Sequence, residues 1–256
     1  MATQPVQQST AKKKEYLHKT QKPPIYENMY SIIFDLDNTL THRADTINCY
    51  ANVFQRDFNA SMKNYYSFEH IANLLVRHDN NGYAGHNRRS KNIRDSDIWR
   101  TRPSIEDLID HWQAWIPRNP SPMPGLMQVL EHFKNSSFSL GIITNGSAKA
   151  QRKKIEALNI DNYFTSILIS EETGFQKPEK AIFDLALAEL QADRKATYFI
   201  GDHPSNDYAG AFNAGLIPIW FEGFVDWPNH LPRPKHHIQS LAKCIDLIDT
   251  LTLATM

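Results

Sequence analysis

From residue 138 onward, short apolar runs alternate with amphipathic stretches, and few architectures accept that order. Ser139-Leu140-Gly141-Ile142-Ile143, Ser166-Ile167-Leu168-Ile169 and Ala196-Thr197-Tyr198-Phe199-Ile200 read as strands. Residues 147–158, 179–190 and 206–214 read as helices, and in the second of them Ile182, Leu185, Ala186 and Glu189 trace the 3.6-residue period. Residues 216–220 read as a strand that Pro218 places at a sheet edge or a strand end. A short strand near His237-Ile238 and a helix over 240–251 close the chain. Such alternation calls for a parallel sheet with helices on both faces, a doubly wound, Rossmann-like α/β core. The earlier apolar run Tyr30-Ser31-Ile32-Ile33-Phe34 supplies the first strand.

Between that strand and the helix at 126–133 the pattern changes. Residues 42–122 are mostly helical by periodicity and show no strand alternation, so they read as an inserted α-helical domain. The core is then 29–41 with 123–256. The polar stretch 78–102 reads as a loop or a helix–loop joint. Residues 77–102 hold seven Lys or Arg against three Asp, a set able to bind carboxylates, phosphates or sugars, or simply to form a solvated face. Trp99, Trp112 and Trp115 could stack on a base or flavin, but Trp112 and Trp115, three apart on one helical face, read first as core of the insert. Residues 1–28, rich in Gln, Lys, Ser and Thr, read as a flexible extension without a signal-peptide core.

Composition excludes several classes. With 28 basic and 28 acidic residues, nothing predicts general attraction to nucleic acid or to membrane surfaces. No apolar stretch approaches the roughly 20 residues needed to span a bilayer. Two cysteines, Cys49 and Cys244, form neither a disulfide framework nor a zinc spacing, which points to a reduced, cytoplasmic setting with both thiols buried.

The chemistry gathers where strands should end. Asp35-Leu36-Asp37-Asn38-Thr39 follows the first apolar run. Side chains two apart on extended backbone point the same way, and unpaired carboxylates cost several kcal/mol to bury. An apolar strand ending in such a pair therefore asks for a cation. Three more polar clusters follow predicted strands or head a predicted helix: Thr144-Asn145-Gly146-Ser147, Lys177-Pro178, and Gly201-Asp202-His203-Pro204-Ser205-Asn206-Asp207. Open α/β sheets bind ligands outside the carboxyl ends of their strands, so the four stations point to one site.

In this order they resemble the haloacid dehalogenase superfamily, whose motifs run DxDxT, Ser/Thr, Lys and GDxxxD or GDxxxxD; the likeness covers 30–219. The resemblance implies a Mg²⁺-dependent enzyme of small phosphorylated substrates. Asp35 becomes the nucleophile that forms an aspartyl-phosphate, and Asp37 the general acid and then base, with its backbone carbonyl on the metal. Asp202 completes the metal site and Asp207 supports it, directly or through water. Thr144 and the amides near Asn145 bind phosphate oxygens, helped by the following helix N-terminus, and Lys177 places charge on the phosphoryl group and on Asp35. Pro178 suits the first turn of its helix. His203 falls on the rim, since Mg²⁺ prefers oxygen ligands.

The position of the insert is that of the family's C1 cap, a lid suited to small substrates such as nucleoside monophosphates, flavin phosphates or sugar phosphates. Asp37 argues against halide release, which needs no proton, and Thr39 leans toward phosphomonoester hydrolysis. Phosphomutase, phosphonatase, dehalogenase and a non-catalytic ligand-binding member are the alternatives.

Overall fold

The computed structural model describes residues 30–136 and 138–254; the extension expected at 1–28 lies outside them. The described residues form two compact units, one from the chain up to Leu40 with that from Pro122 onward, the other spanning Thr41–Ser121.

The first unit is built on a single sheet. Strands β1 (Ser31–Phe34), β2 (Ser139–Thr144), β3 (Ser166–Ile169), β4 (Thr197–Gly201), β5 (Ile217–Phe221) and β6 (His237–Ile238) lie in the order β3-β2-β1-β4-β5-β6. Every pairing is parallel. Alternation along β1 sends Ile32 and Phe34 to one face and Ile33 to the other. Register fixes where the loops emerge. Phe34 pairs with Ile142 of β2 and with Ile200 of β4, so β1 and β4 leave the sheet at the same level. Pro218 is the second residue of β5, at a strand end rather than on an edge strand, since β5 has a neighbour on each side. The two-residue β6 pairs only with Trp220 and Phe221, so at Pro218 the strand is bonded on the β4 side alone and the missing amide is tolerated.

The second unit is helical: α1 (Arg43–Asp57), α2 (Phe68–Asp79), α3 (His86–Asp95) and α4 (Ile105–Trp115). Its core joins Ile47, Tyr50 and Phe54 of α1 to Ile71, Leu75, Trp99 and Trp112, with Trp115 packed alongside. The helix α4 starts in a capping box, Ser104 and Asp107 each satisfying the other's backbone amide. Helix α3 occupies ground expected to be loop or joint. Its inward face is Arg89, Ser90 and Ile93, so its polarity hid the period. The Arg89 guanidinium lies 4.0 Å from the Trp112 ring centroid and 3.6 Å from the Asp79 carboxylate, and burial lowers its pKa to about 10. Cys49 is exposed, contrary to expectation, because the buried stripe of α1 runs through Thr46, Ile47, Tyr50 and Phe54 and leaves it outside.

Helices α5 (Leu126–Asn135), α6 (Ala148–Leu158), α7 (Lys180–Leu190) and α8 (Lys243–Leu253) complete the first unit. Leu130 and Phe133 of α5, Ile155 of α6 and Ile248 of α8 pack with Ile32 and Phe34 on one face, while Ile182 and Phe183 of α7 pack with Ile33 and Phe199 on the other. The helix expected at 206–214 begins earlier, as a π-helical turn over Pro204–Ala209 that runs into Gly210–Asn213. Pro178 stands outside α7 rather than in its first turn, since Glu179 is the N-cap, and the Lys177-Pro178 peptide is cis. Among the described residues no helix is long and apolar enough to cross a membrane.

Candidate active site

Asp35 is the first residue past β1, and its amide donates to the Ile200 carbonyl of β4 at 2.9 Å, which carries the register one step beyond the strand. Gly201 and Asp202 leave β4 at the same level. Glycine is required there. A Cβ on Gly201 would fall 2.4 Å from Oδ2 and 2.6 Å from Cβ of Asp207, so the aspartate folds back against the bare backbone. It is held by the His203 amide, which donates to Asp207 Oδ2 at 2.9 Å. His203 is a cap: its Nδ1 accepts from the amides of Ser205 and Asn206, both at 3.1 Å. Asp202 is fixed from two sides, Asn38 Nδ2 donating to its carboxylate at 3.2 Å and the Trp220 indole donating to its carbonyl at 2.9 Å.

The result is a cluster of three buried carboxylates, Asp35, Asp202 and Asp207, each with an oxygen within 4.8 Å of the others. One cation faces them. Lys177 Nζ lies 2.5 Å from Asp35 Oδ1 and 2.7 Å from Asp207 Oδ1. Burial would lower the lysine's pKa, but the Asp207 and Asp35 charges outweigh it and raise it, so the side chain stays an ammonium. Three carboxylates against one ammonium leave an excess of negative charge in a place without solvent. Burial, opposed by Lys177 and aided by Asp207 and Asp37, pushes the Asp35 carboxyl up to about 7. Burial and then the Asp207 and Asp35 charges raise Asp202 well above the ordinary carboxylate range. A second cation would relieve both shifts. The clustered side chains among the described residues offer it hard carboxylate oxygens, which fits a small divalent ion such as Mg²⁺.

The second station carries side-chain contacts of its own. Asn145 spends its side chain on Lys177: Oδ1 accepts from the lysine amide and Nδ2 donates to the lysine carbonyl, both at 2.9 Å. Only its main chain is left for an anion. Thr144 Oγ1 accepts from Gln151 Nε2 at 2.6 Å, and the same nitrogen reaches Asp37 Oδ2 at 3.1 Å. The Asp37 side chain is not among the three clustered carboxylates. Lys154 Nζ donates to its two oxygens, at 2.7 Å to Oδ1 and 2.6 Å to Oδ2. Gln151, Lys154 and Asn38 are thus site residues that sequence reasoning passed over. A signal existed for the first two: they share the buried face of α6 with Ile155, an odd place for a lysine.

Comparison with known proteins identifies the family. A family model described as haloacid dehalogenase-like hydrolase matches residues 32–221. The chain is 38% identical over 116 residues to the pyrimidine 5'-nucleotidase YjjG of Escherichia coli (strain K12), covering 45% of this chain and 49% of that protein. It thus spans about half the length of that relative. It is 27% identical over 202 residues to the ribulose-1,5-bisphosphate 5-phosphatase of Halopiger xanaduensis, covering 75% of this chain and 84% of that one. Among solved structures, YfnB of Bacillus subtilis bound to magnesium matches with a TM-score of 0.68 and 20% identity, over 87% of this chain and all of that one. With a family model matched across both β1 and β5 and the four motif loops meeting at one sheet end, the chain belongs to the haloacid dehalogenase-like hydrolases.

Proposed function

We propose that the protein is a Mg²⁺-dependent phosphomonoesterase acting on a small phosphorylated metabolite through an aspartyl-phosphate. The observation that carries this reading is the Lys177 ammonium, 2.5 Å from Asp35 inside a cluster of buried carboxylates. Asp35, Asp202 and Asp207, with the Asp37 carbonyl, would hold the ion, which when bound supplies charge to offset the anionic substrate. Lys177 keeps Asp35 aimed and counters its charge, and it remains protonated throughout.

In the first half-reaction an Asp35 oxygen bonds to phosphorus as the ester P–O bond breaks, and the Asp37 carboxyl gives its proton to the departing oxygen. In the second, water attacks phosphorus, its proton goes to Asp37, and Asp35 leaves as a carboxylate. The Thr144 hydroxyl and the amides that follow it bind the phosphoryl oxygens. Charge spread over those oxygens makes positioning and electrostatics the main catalytic effects.

The relatives' names, a nucleotidase and a sugar-bisphosphate phosphatase, support a metabolite rather than a macromolecular substrate, with no nucleic acid or membrane partner. We read the helical unit as the element that sets substrate choice, on its place in the chain directly after the Asp35 loop, and the setting as cytoplasmic on cysteine usage. Hydrolysis of p-nitrophenyl phosphate tests the reading. Turnover should require Mg²⁺ and vanish in Asp35→Asn. Full activity in that variant, or without a divalent ion, contradicts it.

A further inference from the structure

Lysine is seldom buried unless a charge partner holds it, and Lys154 is buried, its side chain 6% exposed. Its partner is the rim carboxylate of Asp37, whose side chain is 25% exposed. The ammonium is the more buried partner and reaches both carboxylate oxygens. Gln151, one turn earlier on α6, adds a third hydrogen bond to Asp37 and ties it to the Thr144 hydroxyl. A buried ion pair is weak evidence of stability, since apolar residues of similar size often do as well. What it does provide is direction: one ammonium on two oxygens fixes the plane of the carboxyl group. A protonated carboxyl keeps acceptor capacity for it. Gly146 protects the arrangement, because a Cβ there would lie 3.2 Å from Cγ and Cδ of Gln151 and its φ is +148°.

We propose that Lys154 and Gln151 are positioning residues for proton transfer, holding the Asp37 carboxyl at the angle from which it protonates the leaving oxygen. The assignment rests on Asp37 being the general acid. Both residues act through the Asp37 carboxyl that they hold.

Leaving-group dependence separates orientation from mere structure, because a poorly orienting acid is felt most by esters whose leaving oxygen needs the proton. The test measures kcat for p-nitrophenyl phosphate and for phenyl phosphate in Lys154→Met, Lys154→Arg, Gln151→Leu, Asp37→Asn and the Lys154→Met/Asp37→Asn pair. Lys154→Met should lose about tenfold more on phenyl than on p-nitrophenyl phosphate. Gln151→Leu should lose in the same direction but less, and Lys154→Arg should recover most of the difference. In the Asp37→Asn background Lys154→Met should add no further selectivity. Equal losses on both esters in Lys154→Met, beside a selective loss in Asp37→Asn, would overturn the positioning role alone. Equal losses in Asp37→Asn would overturn the general-acid reading and this proposal with it. Should Lys154→Met fail to fold, Gln151→Leu carries the same two outcomes.

Discussion

The Asn145 side chain grips the backbone of Lys177 from both ends, accepting from its amide and donating to its carbonyl at 2.9 Å each. The loop after β2 thereby sets the root of the lysine that faces Asp35. Asn145→Ala removes both bonds, which costs about 1–3 kcal/mol of stability. It should also lower kcat by about 10²-fold, since loss of about 1 Å of precision at a catalytic group has effects of that size. Kinetics with p-nitrophenyl phosphate and urea denaturation check the two halves separately. A variant destabilised but fully active would show that the lysine does not need this anchor.

Gly201 marks the tightest place in the site. Alanine there drives a methyl group into Asp207, so either the carboxylate or the β4 loop must move. Overpacking of this kind costs about 1–3 kcal/mol. The expected result for Gly201→Ala is a folded protein with a clearly weakened Mg²⁺ requirement curve, read as a higher metal concentration at half-maximal rate. An unchanged curve would remove Asp207 from the metal's support.

Stability should depend on pH through Asp35. Its carboxyl titrates near 3.8 when unperturbed and at about 7 in the folded protein, with burial as the leading cause. Between those values the folded chain holds a proton that the unfolded chain has lost. The favourable contribution is therefore complete below pH 3.8 and disappears as the pH rises through about 7. Asp35→Asn removes the Asp35 share of this dependence and leaves that of Asp202, whose carboxyl is raised chiefly by burial. In metal-free protein the variant's stability gain over wild type should be larger at pH 8 than at pH 5, by about 2 kcal/mol. Urea denaturation at the two pH values measures it, and saturating Mg²⁺ should shrink the wild-type slope.

The helical unit has its own buried charge. Asp79, its side chain 1% exposed, takes Arg43 at 2.6 and 2.8 Å and the Gly82 amide at 2.8 Å, with Arg89 at 3.6 Å. Asp79→Asn removes the buried carboxylate that Arg43 and Arg89 face and should destabilise the protein by about 3 kcal/mol. Arg43→Met should cost less, because Arg89 still faces the carboxylate. Equal losses in the two variants would contradict this.

The α/β core and the four stations were legible because each is a local event: an apolar run, then acids or a glycine where the run stops. Asp35, Lys177 and Asp202 could be singled out from their order together with the family resemblance. Partnership between distant side chains could not. Nothing local says that Asn145 turns to Lys177, or that Asp37 meets Lys154 of another segment, because those contacts depend on sheet register and on the roll of α6. Helix α3 was hidden for a related reason. Its inward Arg89 looks like a surface residue until Asp79 and Trp112, from two other helices, surround it. Pro218 marked a strand end, and the length of β6, not of β5, decides which amides the sheet needs there.

The most direct test follows phosphorus. Enzyme mixed with substrate and Mg²⁺, quenched in acid and reduced with borohydride, converts a phosphorylated aspartate into homoserine, which peptide mass spectrometry locates. Homoserine is expected at position 35 only, and none without substrate. Homoserine at position 37, or an enzyme that turns over with none anywhere, would contradict Asp35 as the nucleophile.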